Sequence, residues 1–125
     1  MASRLVLTGI YGAFKGKKFY IQEGESIVLG RSHSCDIVLE SGTFLEASEA
    51  DTEHITKHFQ TISRKHLRIT FHNEVKVELE DLSANGTFLD GERVERIFLA
   101  DITTESHTIL LGSREKFLLE WEPIS

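Results

Sequence analysis

Three short patches hold the side chains best suited to chemistry: Gly30-Arg31, Ser63-Arg64-Lys65-His66 and Asn85-Gly86-Thr87. Each falls where a run of alternating apolar residues meets a loop. Together they supply a guanidinium, a hydroxyl and a primary amide. A guanidinium is planar, permanently charged and matches a phosphate bidentately. A hydroxyl can donate to a phosphate oxygen, and an amide can bond a peptide main chain. The set fits a phosphate and the peptide carrying it. His66 has the chemistry of a base, but no nucleophile and orienting group accompany it.

Positioning these side chains falls to a series of short strands. Apolar or alternating runs recur: Leu5-Val6-Leu7, Phe19-Tyr20-Ile21, Ile27-Val28-Leu29, Ile37-Val38-Leu39, Leu67-Arg68-Ile69-Thr70-Phe71 and Val75-Lys76-Val77-Glu78-Leu79. Further on come Thr87-Phe88-Leu89, Ile97-Phe98-Leu99, Thr108-Ile109-Leu110-Leu111 and Phe117-Leu118-Leu119-Glu120-Trp121. Many short strands separated by glycine and polar turns predict an all-β sandwich or barrel. Asp90-Gly91 is a strong two-residue hairpin signal, because a type I′ turn needs positive φ at both central positions. Asn85-Gly86 reads equally well as an ordinary hairpin turn with no further role.

Residues 40–62 break the rhythm. Glu40, Glu46, Glu49, Asp51 and Glu53 make the segment acidic, and Ile55, Phe59 and Ile62 recur at helical spacing. Ser48 and Asp51 resemble a capping box. The spacing predicts a loop and a short helix near 49–60. Long loops in compact domains are often functional. This one is expected to shape selectivity or cover the site, with a solvated excursion as the alternative.

Composition bounds the rest. A chain of 125 residues makes one domain, spanning 1–125 with 40–62 as an extended loop. A single cysteine, Cys35, rules out an intrachain disulfide and fits a reducing, cytoplasmic setting. No apolar run approaches the ~18 residues of a membrane span, and residues 1–9 lack a signal-peptide layout. A net charge of -6 argues against a general nucleic-acid binder. A local basic cluster (Lys57, Arg64, Lys65 and Arg68) still surrounds the second patch.

On this strand pattern the three patches resemble the forkhead-associated (FHA) domain family. The resemblance runs from about Leu5 to Trp121. It rests on Ile27-Val28-Leu29-Gly30-Arg31-Ser32-His33-Ser34-Cys35-Asp36-Ile37, on Ser63-x-x-His66, and on Asp81-Leu82-Ser83-Ala84-Asn85-Gly86-Thr87-Phe88-Leu89-Asp90-Gly91. It implies a two-sheet sandwich of about eleven strands whose loops at one end bind threonine-phosphorylated peptides or proteins. By resemblance, Arg31, Ser63 and Arg64 grip the phosphate and Asn85 holds the peptide backbone. Gly30, His66, Gly86 and Thr87 are structural. The phosphothreonine comes from another protein or from a longer parent chain, since such domains are often fused to other modules. Phosphothreonine is preferred over phosphoserine through a pocket for the γ-methyl group. The chain departs from some relatives at Ala84, where phosphate-contacting members often carry a hydroxyl.

Other candidates are weaker. His54 and His58 would share a helix face as a metal pair, but no third ligand is evident. No cofactor or metal is expected. Cys35 reads as a small buried or half-buried residue rather than a reactive thiol. Phe117 and Trp121 read as core, and the glycine-rich stretch 9–16 as a hairpin turn rather than a phosphate loop.

Overall fold

The computed structural model describes residues 2–39 and 61–124. Alternating burial builds the strands. In β5 (Leu67–Asn73) and β6 (Lys76–Asp81), Leu67, Ile69, Phe71, Val77 and Leu79 are buried, while Arg68, His72 and Lys76 face solvent. This is the period-two pattern of a sheet with one face on a core.

Among the described residues, eleven strands form two sheets. The six-stranded sheet has the order β2-β1-β11-β10-β7-β8, built from β1 (Ala2–Tyr11), β2 (Lys18–Gln22), β7 (Thr87–Leu89), β8 (Glu92–Val94), β10 (His107–Leu111) and β11 (Glu115–Ile124). The five-stranded sheet has the order β4-β3-β5-β6-β9, adding β3 (Ser26–Gly30), β4 (Ile37–Val38) and β9 (Arg96–Leu99). Among these strands only β3 and β4 pair in parallel, and the other neighbours are antiparallel. This is the all-β sandwich expected. The described residues contain no helix, and the segment predicted to be helical, 49–60, lies outside them.

Between the sheets lies one apolar core. Leu5, Ile21, Leu29, Ile62, Ile69, Phe71, Leu79 and Leu119 are wholly excluded from solvent. Fully burying each such side chain contributes about 1.5–3 kcal/mol. Phe117 is buried and stacks with Phe14 at 6.2 Å between ring centroids. Trp121 is half-buried against the same core, and Cys35 is buried.

Two turns test the glycine signals. Asp90 and Gly91 have φ of 50° and 90°, so the β7–β8 connection is the tight hairpin predicted. Asn85-Gly86 is not a hairpin turn, because β6 and β7 belong to different sheets. The chain crosses the sandwich there. The stretch 9–16 joins β1 to β2 as a hairpin, closed by the Gly9 amide on the Lys17 carbonyl at 2.8 Å.

Strand direction brings all three patches to one end. Strands β3 and β6 finish there, and β5, β7 and β11 begin there. The Asp90-Gly91 turn and the start of β10 lie at the opposite end.

Candidate functional site

The first two patches meet along an extension of β3. The Arg31 amide donates to the Ser63 carbonyl at 3.1 Å, and the Ser32 amide to the Arg64 carbonyl at 3.0 Å. The His66 amide donates to the Leu29 carbonyl at 2.8 Å. Gly30 makes this approach possible. A Cβ at that position would sit 2.1 Å from the Arg64 carbonyl oxygen. Behind the same carbonyl, the Cys35 thiol donates to it at 3.1 Å, and burial pushes that thiol's pKa up. The cysteine therefore acts as a neutral packing and bonding group.

His66 ties the second patch to the third. Its Nδ1 accepts from the Ser63 amide at 3.0 Å, so Nδ1 carries no proton. Its Nε2 therefore carries the hydrogen and donates to the Gly86 carbonyl at 2.8 Å. The ring is completely buried, and burial holds its pKa below the ordinary histidine value, against the pull of the Gly86 carbonyl and the Asp81 charge. The neutral imidazole is thus a spacer between two loops, with both nitrogens occupied.

The third patch is folded by its own side chains. Asp81 Oδ1 accepts from the Ser83 amide at 3.1 Å, the Ser83 hydroxyl at 2.6 Å and the buried Thr87 hydroxyl at 2.8 Å. Ser83 Oγ accepts in turn from the Gly86 amide at 2.8 Å. Gly86 has φ of 101°, which favours glycine. The loop therefore presents Asn85 outward from a closed hydrogen-bonded ring.

Ser63 Oγ accepts from the Ala84 amide at 3.0 Å, and no described residue takes its own hydrogen. Arg31 is half-buried. Its Nε donates to the Ile62 carbonyl, and its two terminal nitrogens are unclaimed among the described residues. No carboxylate among those residues pairs with it. Asn85 is exposed and donates one amide hydrogen to the Thr61 carbonyl at 3.0 Å, with its second hydrogen and its oxygen unclaimed among the described residues. Arg64 and Lys65 are exposed, and neither forms an ion pair among the described residues.

These loops border an open cavity of about 480 Å³, lined by Ser32, Ser34, Ser63, Arg64, Lys65, Leu82 and Ala84. Ser63 and Arg64 meet on its walls. Arg31 and Asn85 stand beside it, on the side of Thr61 and Ile62. Arg68 does not belong to the site: it pairs with Glu80 at 2.8 Å on the outer face of the five-stranded sheet. The basic cluster is smaller than the sequence suggests, and Lys57, His54 and His58 lie outside the described residues.

A larger cavity, about 610 Å³, lies at the opposite end between β8 and β9. Its walls carry Asp90, Glu92 and Asp101 and no lysine or arginine. His107 is bonded through Nδ1 to Asp90 at 2.6 Å and through Nε2 to Asp101 at 2.8 Å. Those polar groups satisfy one another, and an anion finds no partner there. Among the described residues, no cluster of three or more His, Cys, Asp or Glu could hold a metal.

Sequence reasoning did not identify the Thr61 and Ile62 carbonyls, Cys35 Sγ, or the Asp81–Ser83–Thr87 ring as parts of this end. Only the last had a signal, since Asp81-x-Ser83 suits an Asx turn.

A family model for the FHA domain matches residues 27–112. No curated protein sequence matches the chain. Among solved structures, the FHA domain of a hypothetical protein from Arabidopsis thaliana is 23% identical with a TM-score of 0.72, over 98% of this chain and 88% of that one. An FHA domain from a structural and functional analysis of phosphothreonine-dependent FHA domain interactions is 23% identical with a TM-score of 0.64, over 97% and 99%. Mycobacterium tuberculosis EmbR, solved with a low-affinity phosphopeptide, is 20% identical with a TM-score of 0.65, over 98% of this chain and 25% of that one. The match of the family model to most of the chain, on an eleven-stranded sandwich, places it in the FHA-domain family.

Proposed function

We propose that this domain recognises threonine-phosphorylated peptides and so joins its parent protein to a phosphorylated partner, without catalysing a reaction. One observation carries the reading. At a single end of the sandwich, a donor hydroxyl (Ser63) and three cationic side chains that form no ion pair among the described residues (Arg31, Arg64, Lys65) surround or flank one open cavity. A phosphothreonine carries about -1.5 to -2 charges at neutral pH and three acceptor oxygens, which is the complement of such a set. Arg31 is held through Nε with both terminal nitrogens unclaimed among the described residues, an arrangement suited to bidentate contact. Asn85, beside the cavity, has a donor and an acceptor that no other described residue takes up, and these suit a peptide main chain. Structural relatives from phosphothreonine-dependent and phosphopeptide-bound systems agree with this reading. Association is then switched by an upstream kinase, in an intracellular setting that suits the free Cys35 thiol.

An oriented phosphothreonine-peptide library identifies the preferred sequence. Calorimetric titration then compares that peptide with its unphosphorylated and phosphoserine twins. The expected result is binding of the phosphothreonine form alone or best, and loss of the preference in Arg31→Ala. Equal binding of the phosphorylated and unphosphorylated peptides would defeat the proposal.

A further inference from the structure

Ala84 lines the cavity where some family members offer a hydroxyl, so the third patch brings no hydroxyl of its own to a bound phosphate. The same cavity is lined by two further serines. Ser32 and Ser34 share that cavity with Ser63 and Arg64. Ser32 is fixed next to the second patch through its amide on the Arg64 carbonyl at 3.0 Å. The two hydroxyl oxygens lie 2.8 Å apart, and Ser32 Oγ also accepts from the Ser34 amide at 3.2 Å.

Counting protons decides what this pair can do. Two hydroxyls hold two hydrogens, and the bond between them consumes one. Whichever serine donates within the pair, the other keeps its hydrogen. Among the described residues, one O–H is therefore always left for a ligand in the cavity. We propose that the Ser32–Ser34 pair donates this hydrogen to the phosphate of the bound phosphothreonine and takes the place of the hydroxyl missing at Ala84. The inference rests on the phosphothreonine reading above and assigns two further binding residues to the same site. The pair also adapts: its free hydrogen can come from either oxygen, according to where the phosphate oxygen lies.

The arrangement gives an unusual signature. Ser34→Ala frees the Ser32 hydrogen, and Ser32→Ala frees the Ser34 hydrogen. Each single variant keeps one donor, while the double variant keeps none. Titration of the library-selected phosphothreonine peptide should show each single variant within about three-fold of the wild type. The Ser32→Ala/Ser34→Ala double variant should be weaker by about ten-fold or more, the worth of a hydrogen bond to a charged group. Adding Ala84→Ser to the double variant should recover much of the loss, which a merely misfolded loop would not allow. A double variant that binds like the wild type overturns the inference, and so does a Ser34→Ala variant as weak as the double. In both cases the wild type still binds, and the phosphothreonine reading stands. A wild type indifferent to phosphorylation removes that reading first.

Discussion

Arg31 and Asn85 are held by consecutive carbonyl groups. Arg31 Nε donates to the carbonyl of Ile62, and Asn85 Nδ2 to that of Thr61 at 3.0 Å. Two patches far apart in sequence thus share one support, which belongs to neither. Its anchor is the Ile62 side chain, which is wholly buried.

That anchor makes stability and recognition move together at one position. Ile62→Val should cost about 0.5–1.5 kcal/mol of stability and also weaken phosphothreonine-peptide binding several-fold. Ile102→Val, in the buried set at the opposite end, should cost similar stability and leave affinity unchanged. Thermal unfolding and peptide titration of both variants make the comparison. Equal affinity in the two would detach the carbonyl support from recognition.

Gly30 offers a sharper separation of fold from site. Its φ is not in the left-handed region, so backbone freedom is not what it supplies. It supplies room, because a Cβ there would lie 2.1 Å from the Arg64 carbonyl oxygen. Gly30→Ala must push residues 63–65 away from β3. Ser63, Arg64 and the Arg31 amide bond all shift with them. Peptide affinity should fall by more than about ten-fold, or 1.4 kcal/mol, while the far-ultraviolet spectrum keeps its all-β form. Retained affinity would mean that the second patch can move without consequence.

His66 sets a pH limit on this end. Its folded pKa is depressed, so the unfolded chain binds a proton more readily than the native one. Stability from the neutral ring is therefore present above the ordinary value of 6.5 and is lost as pH falls through the lower folded value. Protonation places a hydrogen on Nδ1, facing the Ser63 amide that now donates to it. The peptide-free protein gives the cleanest reading, because a phosphate also titrates near pH 6. Its unfolding midpoint should drop across this range, and less so in His66→Gln. Identical pH profiles for the two proteins would remove His66 from the account.

Much of this was legible in the chain. Period-two burial in β5 and β6 follows directly from Leu67-Arg68-Ile69-Thr70-Phe71 and Val77-Glu78-Leu79. The Asp90-Gly91 turn followed from the φ that a type I′ hairpin demands. The Asn85-Gly86 dipeptide was ambiguous because the same two residues suit a hairpin or a crossing between sheets. Only strand order distinguishes them. The support under Arg31 and Asn85 left no trace, since any residue type offers a carbonyl at 61 and 62. Arg68 was misplaced for the opposite reason. Its charge is visible in sequence, but its position on the solvent face of β5, opposite Glu80, depends on register.

The opposite end of the sandwich should respond to pH with the reverse sign. Burial disfavours a charged His107, but bonds to Asp90 and Asp101 outweigh that and raise its pKa overall. Both ring nitrogens face carboxylate oxygens, an arrangement that needs the imidazolium. Because the folded pKa is raised, this stabilisation is complete below the ordinary value of 6.5 and is lost as pH rises through the folded value. The Asp90 carboxyl is held below its usual pKa. Desolvation works against this and is outweighed by bonds from His107 and Thr108. His107→Gln should therefore destabilise the protein more at pH 6 than at pH 8.5, opposite in direction to the His66 effect. It should leave phosphothreonine-peptide affinity at neutral pH within about two-fold of the wild type, since His107 touches none of the three patches. Unfolding midpoints at the two pH values provide the check. A pH-independent loss would show that His107 contributes packing alone, and a loss of affinity would connect the two ends of the sandwich.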